Sequence, residues 1–395
     1  MRRTTGALFL FIIAFTLISA VDADAKKHRR AATARPAKKQ AYSTGGGFQP
    51  ATECAKCHSD VYRNWLTSHH AHSYDNPIFQ AAYNKVYTET KGAAAKECLE
   101  CHAPTTISTK DYDIKLDVTR EGVTCDFCHS IPEANPEKNP SFKLSPGRVK
   151  ITAGKPSKTE GHDVAFSEDF ATSRLCAVCH DFSNKKGIHT EATYFEWKNS
   201  EYAKNGTECQ NCHMMEIEAI ATDKGGEGRR PHDHSFEYGV ASPADAVTAT
   251  VDYAVAEGGG LTAGVTVQNK NAGHYTPTGT PARGLVLEVS TTDGNGKIIE
   301  TKKVVFSKEV LGADGREAES CADSYLNGCK AGRDNRLAPG ETRHVAFSFS
   351  EKVKNAADVT ARLYFLYRPM MIQQGEFKTP VSESSAKVAR GPKRN

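Results

Sequence analysis

The chain has 395 residues, and its 51 Lys and Arg against 47 Asp and Glu give a formal net charge of +4. A charge this small over this length gives no argument for nucleic-acid binding. After residue 25, no segment is apolar for the roughly 20 residues that a membrane helix needs. The sequence therefore predicts no nucleic-acid partner and no integral membrane segment in the mature chain.

Residues 1–25 have the features of a cleavable secretory signal. An arginine pair precedes an apolar run from Ala7 to Ala20, and Ala23-Asp24-Ala25 gives the small-x-small pattern of a cleavage site. We therefore expect an exported protein. Its mature chain would open with residues 26–47, a basic stretch rich in Ala, Lys, Arg and Gly that predicts a disordered linker.

Five copies of Cys-x-x-Cys-His follow this linker. At this spacing two thiols add to the vinyl groups of one haem and the adjacent histidine binds its iron, so each copy predicts a covalent haem c site. Zinc ribbons and a disulfide framework are the alternatives, but neither explains a histidine after every second cysteine. The predicted cofactor is five haems c. They would be tethered by Cys54, Cys57, Cys98, Cys101, Cys125, Cys128, Cys176, Cys179, Cys209 and Cys212, with His58, His102, His129, His180 and His213 as proximal ligands.

This haem chemistry also bears on location and charge. Haem c matures outside the cytoplasmic membrane, so we expect a periplasmic protein, with passage to the cell surface or the extracellular space left open. The propionates of each haem outweigh the charge of its ferric core, which leaves the holoprotein near neutral or mildly acidic.

Each proximal imidazole is expected to donate its second N–H to a backbone carbonyl or to water.

Composition divides the mature chain further. Residues 48–239 show weak periodicity, as expected where porphyrin faces replace much of the side-chain core, and predict a pentahaem domain of short helices and loops. Residues 240–381 alternate apolar and polar side chains at strand spacing, which predicts an antiparallel β-sandwich of about seven strands. The clearest of these runs are 247–251, 285–289, 345–349 and 361–365. The predicted class is α+β overall, ending in a basic tail at 382–395, of which residues 387–395 are expected to be mobile.

Two cysteines lie outside the haem motifs, in the sandwich region. Cys321 and Cys329 are eight residues apart in a loop-like stretch. In an oxidising compartment this spacing predicts a small disulfide, with two unpaired buried thiols as the alternative.

The ligand opposite each proximal histidine decides function, because iron with two protein ligands transfers electrons, whereas iron with an open face can do chemistry. Ten histidines lie outside the motifs. His28 falls in the linker and His344 in a strand pattern, which leaves eight candidates for five haems. They are His69, His70, His72, His162, His189, His232, His234 and His274. One helical turn can aim only one of the three close histidines at residues 69–72 toward a given iron.

The stretch Trp65-Leu-Thr-Ser-His-His-Ala71 behind the first motif resembles the multihaem cytochrome c family that includes the electron acceptor of hydroxylamine oxidoreductase. So do Thr193–Trp197 before the last motif and Arg230–Phe236 after it. The stretch Asn271–Gly279 looks like a loop of family members with a C-terminal sandwich, in which a histidine reaches back to a haem. The resemblance implies His70, His234 and His274 as ligands.

Two further histidines complete the predicted distal set. His162 lies in a probable loop, Glu160–Asp163, before the fourth motif, and His189 follows that motif. His274 is also expected at a loop tip between strands, from which a ligand can reach out of a sandwich. The distal set is therefore His70, His162, His189, His234 and His274.

An internal repeat raises the question of an open site. Residues 65–71 align with Trp197-Lys-Asn-Ser-Glu-Tyr-Ala203, in which Tyr202 replaces His70. One interpretation is that His189 supplies the missing ligand and Tyr202 packs. The other is that Tyr202 overhangs a vacant haem face and donates a hydrogen bond to a bound nitrogen or oxygen species.

The sequence thus predicts an exported electron-transfer cytochrome that exchanges electrons with redox partner proteins. The alternative is a reductase or oxidase of a small inorganic nitrogen or sulfur compound at one open haem, so whether the protein is an enzyme is left open. No motif ends in lysine, which excludes a nitrite-reductase type of proximal ligand. The surplus of histidines also permits an oligomer or filament in which a distal ligand is lent to a neighbour.

Overall fold

The structure is a computed structural model. It describes residues 46–137, 142–224, 230–236, 242–257, 260–318, 320–350, 353, 355–367 and 377–390. The predicted signal peptide and residues 26–45 of the predicted linker lie outside these residues. Within the described ranges, no helix has both the length and the apolar character needed to cross a membrane. The haem region and the C-terminal part belong to one compact unit.

The described residues between 48 and 236 form short helices joined by loops and small sheets, as predicted. The helices are α1 (Ala51–Cys54), α2 (Ser59–Leu66), α3 (Pro77–Thr90), α4 (Ala95–His102), α5 (Thr106–Thr109), α6 (Asp117–Arg120), α7 (Cys125–Cys128), α8 (Arg174–His180), α9 (Thr193–Lys198), α10 (Glu201–Lys204) and α11 (Cys209–His213). The strands are β1 (Glu133–Ala134), β2 (Phe142–Lys143), β3 (Val149–Thr152), β4 (Ser157–Lys158), β5 (Asp163–Phe166), β6 (Phe182–Ser183) and β7 (His189–Glu191).

Helix α3 is the longest helix in this part, and its ends follow known capping rules. The Asn76 side chain accepts a hydrogen bond from the backbone N–H of Ile78 (2.9 Å), and Pro77 takes the first helical position. Lys91 ends the helix in the left-handed conformation, with φ of 51°. The chain then turns back into α4, so the two helices form a hairpin beside the second haem motif.

The C-terminal part is a two-layered sandwich. After α12 (Pro243–Ala246), the strands are β8 (Val247–Glu257), β9 (Gly260–Asn269), β10 (Arg283–Thr292), β11 (Ile298–Leu311), β12 (Lys330–Asp334), β13 (Thr342–Phe349), β14 (Asp358–Tyr367), β15 (Phe377–Lys387) and β16 (Ala389–Arg390), with α13 (Cys321–Leu326) before β12. One sheet has the order β12-β11-β10-β14-β15 and the other β13-β9-β8-β16. All four predicted runs lie in strands, and the predicted α+β class is confirmed.

The sandwich core lies between the two sheets. Val265 and Val267 on β9 face Leu285 and Leu287 on β10, and Leu363 on β14 joins them. All five side chains have no exposed surface. These residues alternate with outward-facing ones, as the two-residue period of a strand requires. The sandwich could therefore be predicted from the sequence.

The sandwich extends beyond its predicted end. Residues 382–387 complete β15, which pairs with β14, and residues 389–390 form β16, which pairs in parallel with β8. The Ser382 and Ser384 hydroxyls each accept a backbone N–H from β8 at 3.1 Å. The predicted mobility of residues 387–395 is therefore wrong for residues 387–390, because Lys387 belongs to β15 and residues 389–390 form β16. Residues 391–395 lie outside the described part.

The predicted disulfide is also wrong, since Cys321 and Cys329 are both free thiols. Cys321 opens α13, and its Sγ lies 4.0 Å from the Tyr367 hydroxyl. Cys329 follows the helix and hydrogen-bonds through its backbone N–H to Leu311 (2.9 Å). Because α13 occupies most of the segment between the two cysteines, this segment is not the loop that the disulfide prediction assumed.

Helix α13 joins the sandwich to the haem region. Tyr325 donates to Glu97 (2.5 Å) and Lys85 pairs with Asp323 (2.6 Å). Asn184 donates through Nδ2 to two backbone carbonyls at the end of α13, at 3.0 and 2.9 Å. This insertion therefore packs against α3 and α4, next to the second haem motif.

A matched pair of truncations tests the corrected boundary. Deleting residues 382–395 removes most of β15 and all of β16, so we expect a loss of several kcal/mol, at about 1 kcal/mol per ladder hydrogen bond. Deleting only 391–395 should leave stability unchanged. The measurement is denaturant unfolding followed by circular dichroism. Equal stability of the two truncated proteins would show that β15 contributes nothing.

Candidate haem sites

Each haem motif lies on a helical turn. The second, fourth and fifth motifs lie within α4, α8 and α11, and the third starts α7. In the first motif, the His58 backbone N–H donates to the Cys54 carbonyl at 2.9 Å, which closes one turn. Residues three and four apart share a face of a helix, so both thiols and the imidazole of a motif point the same way.

All five motifs open onto one cavity of about 2790 Å³, lined by all ten motif cysteines and all five motif histidines. A pocket for one small ligand usually has about 300–1,000 Å³. This cavity is several times larger, and it is surrounded by the side chains that covalent haem attachment requires. Its size and lining therefore fit several haems packed together.

Three of the motif histidines are held in one tautomer. The Nδ1 atoms of His58, His102 and His129 lie 2.6, 2.9 and 2.8 Å from the backbone carbonyl oxygens of Ala221, Ser73 and Ile151. A carbonyl oxygen only accepts, so Nδ1 carries the proton and Nε2 keeps a free lone pair. This arrangement orients an imidazole for metal binding, and it agrees with the predicted hydrogen bonds to carbonyls.

Three motif histidines face a second histidine across the cavity. Ring centres are 6.1 Å apart for His58 and His162, 6.2 Å for His180 and His70, and 6.4 Å for His213 and His274. Two imidazoles that bind one metal from opposite sides, through bonds of about 2 Å, place their ring centres roughly 6 Å apart. The three pairs therefore have the spacing of axial ligands to one iron.

A fourth pair is supported by electrostatics. Burial first, and the charge of His234 second, lower the pKa of His129 to about 4. His234 lines the cavity, and its Nδ1 lies 2.7 Å from the His232 carbonyl, so its Nε2 is also free to bind. His234 therefore lies near enough to His129 to influence its pKa, and its Nε2 is available to a metal on that side of the cavity.

His70 and His274, two of the facing histidines, are held neutral by burial, as ligands must be. Burial lowers the pKa of His70 to about 3 and that of His274 to about 4. The buried Nδ1 of His70 finds no hydrogen-bond partner in the described part of the chain. An orphaned polar atom of this kind is expected where a cofactor, rather than protein, surrounds the side chain.

Two comparisons with known proteins bear on the motifs and on the fold. Residues 53–130 match the family model described as cytochrome c554 and c-prime. A penta-haem cytochrome c552 from Thermochromatium tepidum has a similar structure, with a TM-score of 0.65, 21% identity, and coverage of 87% of this chain and 100% of that chain. The matched segment and the shared fold support a multihaem cytochrome c. They also support haem c as the cofactor of the motifs.

Other structures match far less well. A β-glucosidase from Kluyveromyces marxianus has a TM-score of 0.17 and 12% identity, covering 36% of this chain and 14% of that one. A β-glucuronidase from Bacteroides uniformis has a TM-score of 0.18 and 12% identity, covering 38% and 14%. Neither carries an argument about this cytochrome. No curated protein sequence matches the chain.

The second motif differs from the others. The ring packed on His102 is that of Phe79, stacked at 3.8 Å with an interplanar angle of 12°. Phe79 also continues an aromatic series along α3, with Tyr83 at 5.7 Å and Tyr87 a further 6.1 Å away. Sequence reasoning missed Phe79, since an aromatic residue on a helix carries no haem signal by itself.

His189 lies apart from the cavity. Its Nε2 is 2.6 Å from an Asp181 carboxylate oxygen, its ring contacts Phe195, and it is not among the residues that line the cavity. Tyr202 does line the cavity, where it packs against the loop that carries His274: a Cβ atom at Gly273 would lie 3.0 Å from Tyr202 Cγ. Tyr202 therefore supports this loop.

Thiols of different motifs meet inside the cavity. A hydrogen bond with Cys125 lowers the pKa of Cys54, and one with Cys176 lowers the pKa of Cys209. A further hydrogen bond, with Cys101, raises the pKa of Cys179. The first and third motifs are therefore in contact, as are the fourth and fifth and the second and fourth.

The internal repeat is structural as well as sequential. The Trp65 indole N–H donates to Val123 at 3.0 Å, and that of Trp197 donates to Thr207 at 2.8 Å. Each acceptor lies two residues before the first cysteine of a motif and directly after a glycine of positive φ. The two halves thus position the third and fifth haem motifs by the same contact.

Removing either indole N–H should destabilise the cytochrome. In Trp65→Phe or Trp197→Phe, the partly buried carbonyl loses its donor and space opens around the smaller ring, so we expect the free energy of unfolding to fall by about 1–3 kcal/mol. Denaturant unfolding of the holoprotein measures this, with Tyr253→Phe on the exposed sandwich face as control. A loss in one variant alone would contradict the equivalence of the two halves.

Proposed function

We propose that this cytochrome binds five haems c and carries electrons along them. The observation that supports this most directly is the set of facing histidines, because two imidazole ligands leave an iron no position for substrate. Each bound haem would supply an iron that gains and loses one electron. The chain's own residues tether it through thioethers, orient it through imidazoles and keep it out of water.

The proposed ligand pairs are His58 with His162, His129 with His234, His180 with His70, and His213 with His274. The centroid spacings favour three of these pairs, and the proximity of His234 to His129 favours the fourth. His189 is left out of this set because it is hydrogen-bonded to Asp181 away from the cavity.

The contacts between thiols suggest the order of transfer. In the holoprotein each motif thiol is bonded to a haem edge, so motifs whose thiols meet hold haems edge to edge. The fourth motif touches both the second and the fifth, through Cys179 and Cys176. The haem at Cys176–His180 would then lie between the haems of the second and fifth motifs.

The proposed setting is the bacterial periplasm, with redox proteins as partners. This rests on the secretory signal predicted at residues 1–25 and on the compartment in which haem c is attached. A filament with shared ligands has less support, because three of the four distal histidines face a motif histidine of their own chain.

Paired alanine variants test the ligand set. We expect intact mass to show five covalent haems, and electron paramagnetic resonance of oxidised His274→Ala to show one new high-spin haem. His189→Ala should match the wild-type protein, because that imidazole already bonds a carboxylate. An unchanged spectrum in His274→Ala, or a new high-spin haem in His189→Ala, would overturn the proposed pairs.

A second candidate function is reduction or oxidation of a small inorganic nitrogen or sulfur compound at the haem of Cys98–His102. Among the ring contacts of the described residues, His102 has Phe79 and no histidine, unlike the motif histidines of the three facing pairs. His69 also lines the cavity and is the competing sixth ligand. The candidate open site is therefore the second haem rather than the surroundings of Tyr202.

Carbon monoxide added to the reduced holoprotein tests this site. If the second haem is open, one haem should be high-spin when oxidised and should bind the gas, in wild type and in Tyr202→Phe alike. If the gas binds only in His69→Ala, His69 is the sixth ligand and the cytochrome is an electron carrier throughout. If carbon monoxide binds the wild-type protein but not Tyr202→Phe, the open site is the fifth haem rather than the second.

A further inference from the structure

The loop that carries His274 crosses from the sandwich to the haem region. It leaves β9 after Asn269, whose side-chain amide donates to the His274 carbonyl at 3.0 Å. Farther along, Thr276 and Leu337 exchange two backbone hydrogen bonds of 2.8 and 3.0 Å. The loop is thus tied to the segment that contains Leu337, between β12 and β13.

Arg336, the residue before Leu337, makes the densest set of contacts to this loop. Its side chain is 5% exposed, and it pairs at 2.7 Å with Glu196 of α9, whose side chain is 4% exposed. It also pairs with Asp334 at 2.8 Å and donates to the Pro277 carbonyl at 3.1 Å. One guanidinium therefore joins the sandwich, the loop and a helix of the haem region.

The ion pair also holds the residues that follow His274. The guanidinium lies 5.0 Å from the centre of the Tyr275 ring, and the Tyr275 carbonyl oxygen is 2.9 Å from His274 Nδ1. Farther along the loop, Thr278 donates to Glu196 at 2.6 Å. The residue whose carbonyl orients the His274 imidazole is thus in contact with Arg336, and the segment after it is bound to both members of the ion pair.

We propose that Arg336 is a positioning residue that holds His274 opposite His213, through Tyr275, Pro277 and the ion pair with Glu196. The inference rests on the proposed ligand pair of the fifth haem. An imidazole ligand must keep both its distance and its ring orientation, and a loop without regular structure supplies neither unless its backbone is fixed. The planar guanidinium can satisfy three partners at once, which a lysine ammonium cannot do in the same geometry.

The test uses the holoprotein and electron paramagnetic resonance of its oxidised form. In Arg336→Met we expect part of the fifth haem population to become high-spin while the other haems keep their wild-type signals. Added imidazole should restore the low-spin signal, because it replaces a misplaced ligand. Arg336→Lys keeps a charge beside Glu196 and should show a smaller high-spin fraction. Arg333→Met, which breaks an exposed pair with Glu309 (2.7 Å), is the matched control and should match wild type.

A double variant separates positioning from a general structural effect. If Arg336 acts through His274, adding Arg336→Met to His274→Ala should produce no more high-spin haem than His274→Ala alone. The inference is overturned if Arg336→Lys and Arg336→Met both keep wild-type signals, or if Arg336→Met adds high-spin haem to His274→Ala. An unchanged spectrum in His274→Ala itself would instead overturn the ligand pair. If Arg336→Met does not incorporate haem, Arg336→Lys and Thr278→Val take its place, each alone and combined with His274→Ala.

Discussion

The haem region is built around a cavity that side chains do not fill. Its apolar clusters are small, such as the one around Phe48, Val118 and Phe127, whereas the sandwich has a continuous core between its sheets. A large apolar cavity that stayed empty would cost the folded state packing free energy. The haem region has few long helices or strands to offset that cost. Covalent attachment of the cofactor resolves this, because it guarantees that the cavity is filled wherever the chain is folded.

Sequence reasoning was most successful where the signal is local. The five motifs, the strand runs and the general class follow from spacings of two to four residues, and each was visible without the structure. The errors arose where distant segments meet. Residues 382–390 pair with β14 and β8, and α13 separates Cys321 from Cys329, and neither contact has a local signature.

The same limit applies to the haem ligands. His162 and His189 had equal standing as loop histidines, and only their partners separate them, since one faces His58 and the other bonds Asp181. The ion pair of Glu196 with Arg336 was not foreseen at all, because a buried charge pair between remote segments looks like two ordinary surface residues in sequence. The family resemblance did point to His70, His234 and His274, which all line the cavity.

The pairing of histidines from distant segments also affects how the protein is made. In the proposed ligand set, His58 meets His162 and His213 meets His274, so each iron would close a long loop of chain. A clip of this kind removes conformational freedom from the unfolded chain much as a disulfide does. Iron ligation and folding of the sandwich would then be coupled, because the sandwich loop that carries His274 closes the last of these loops.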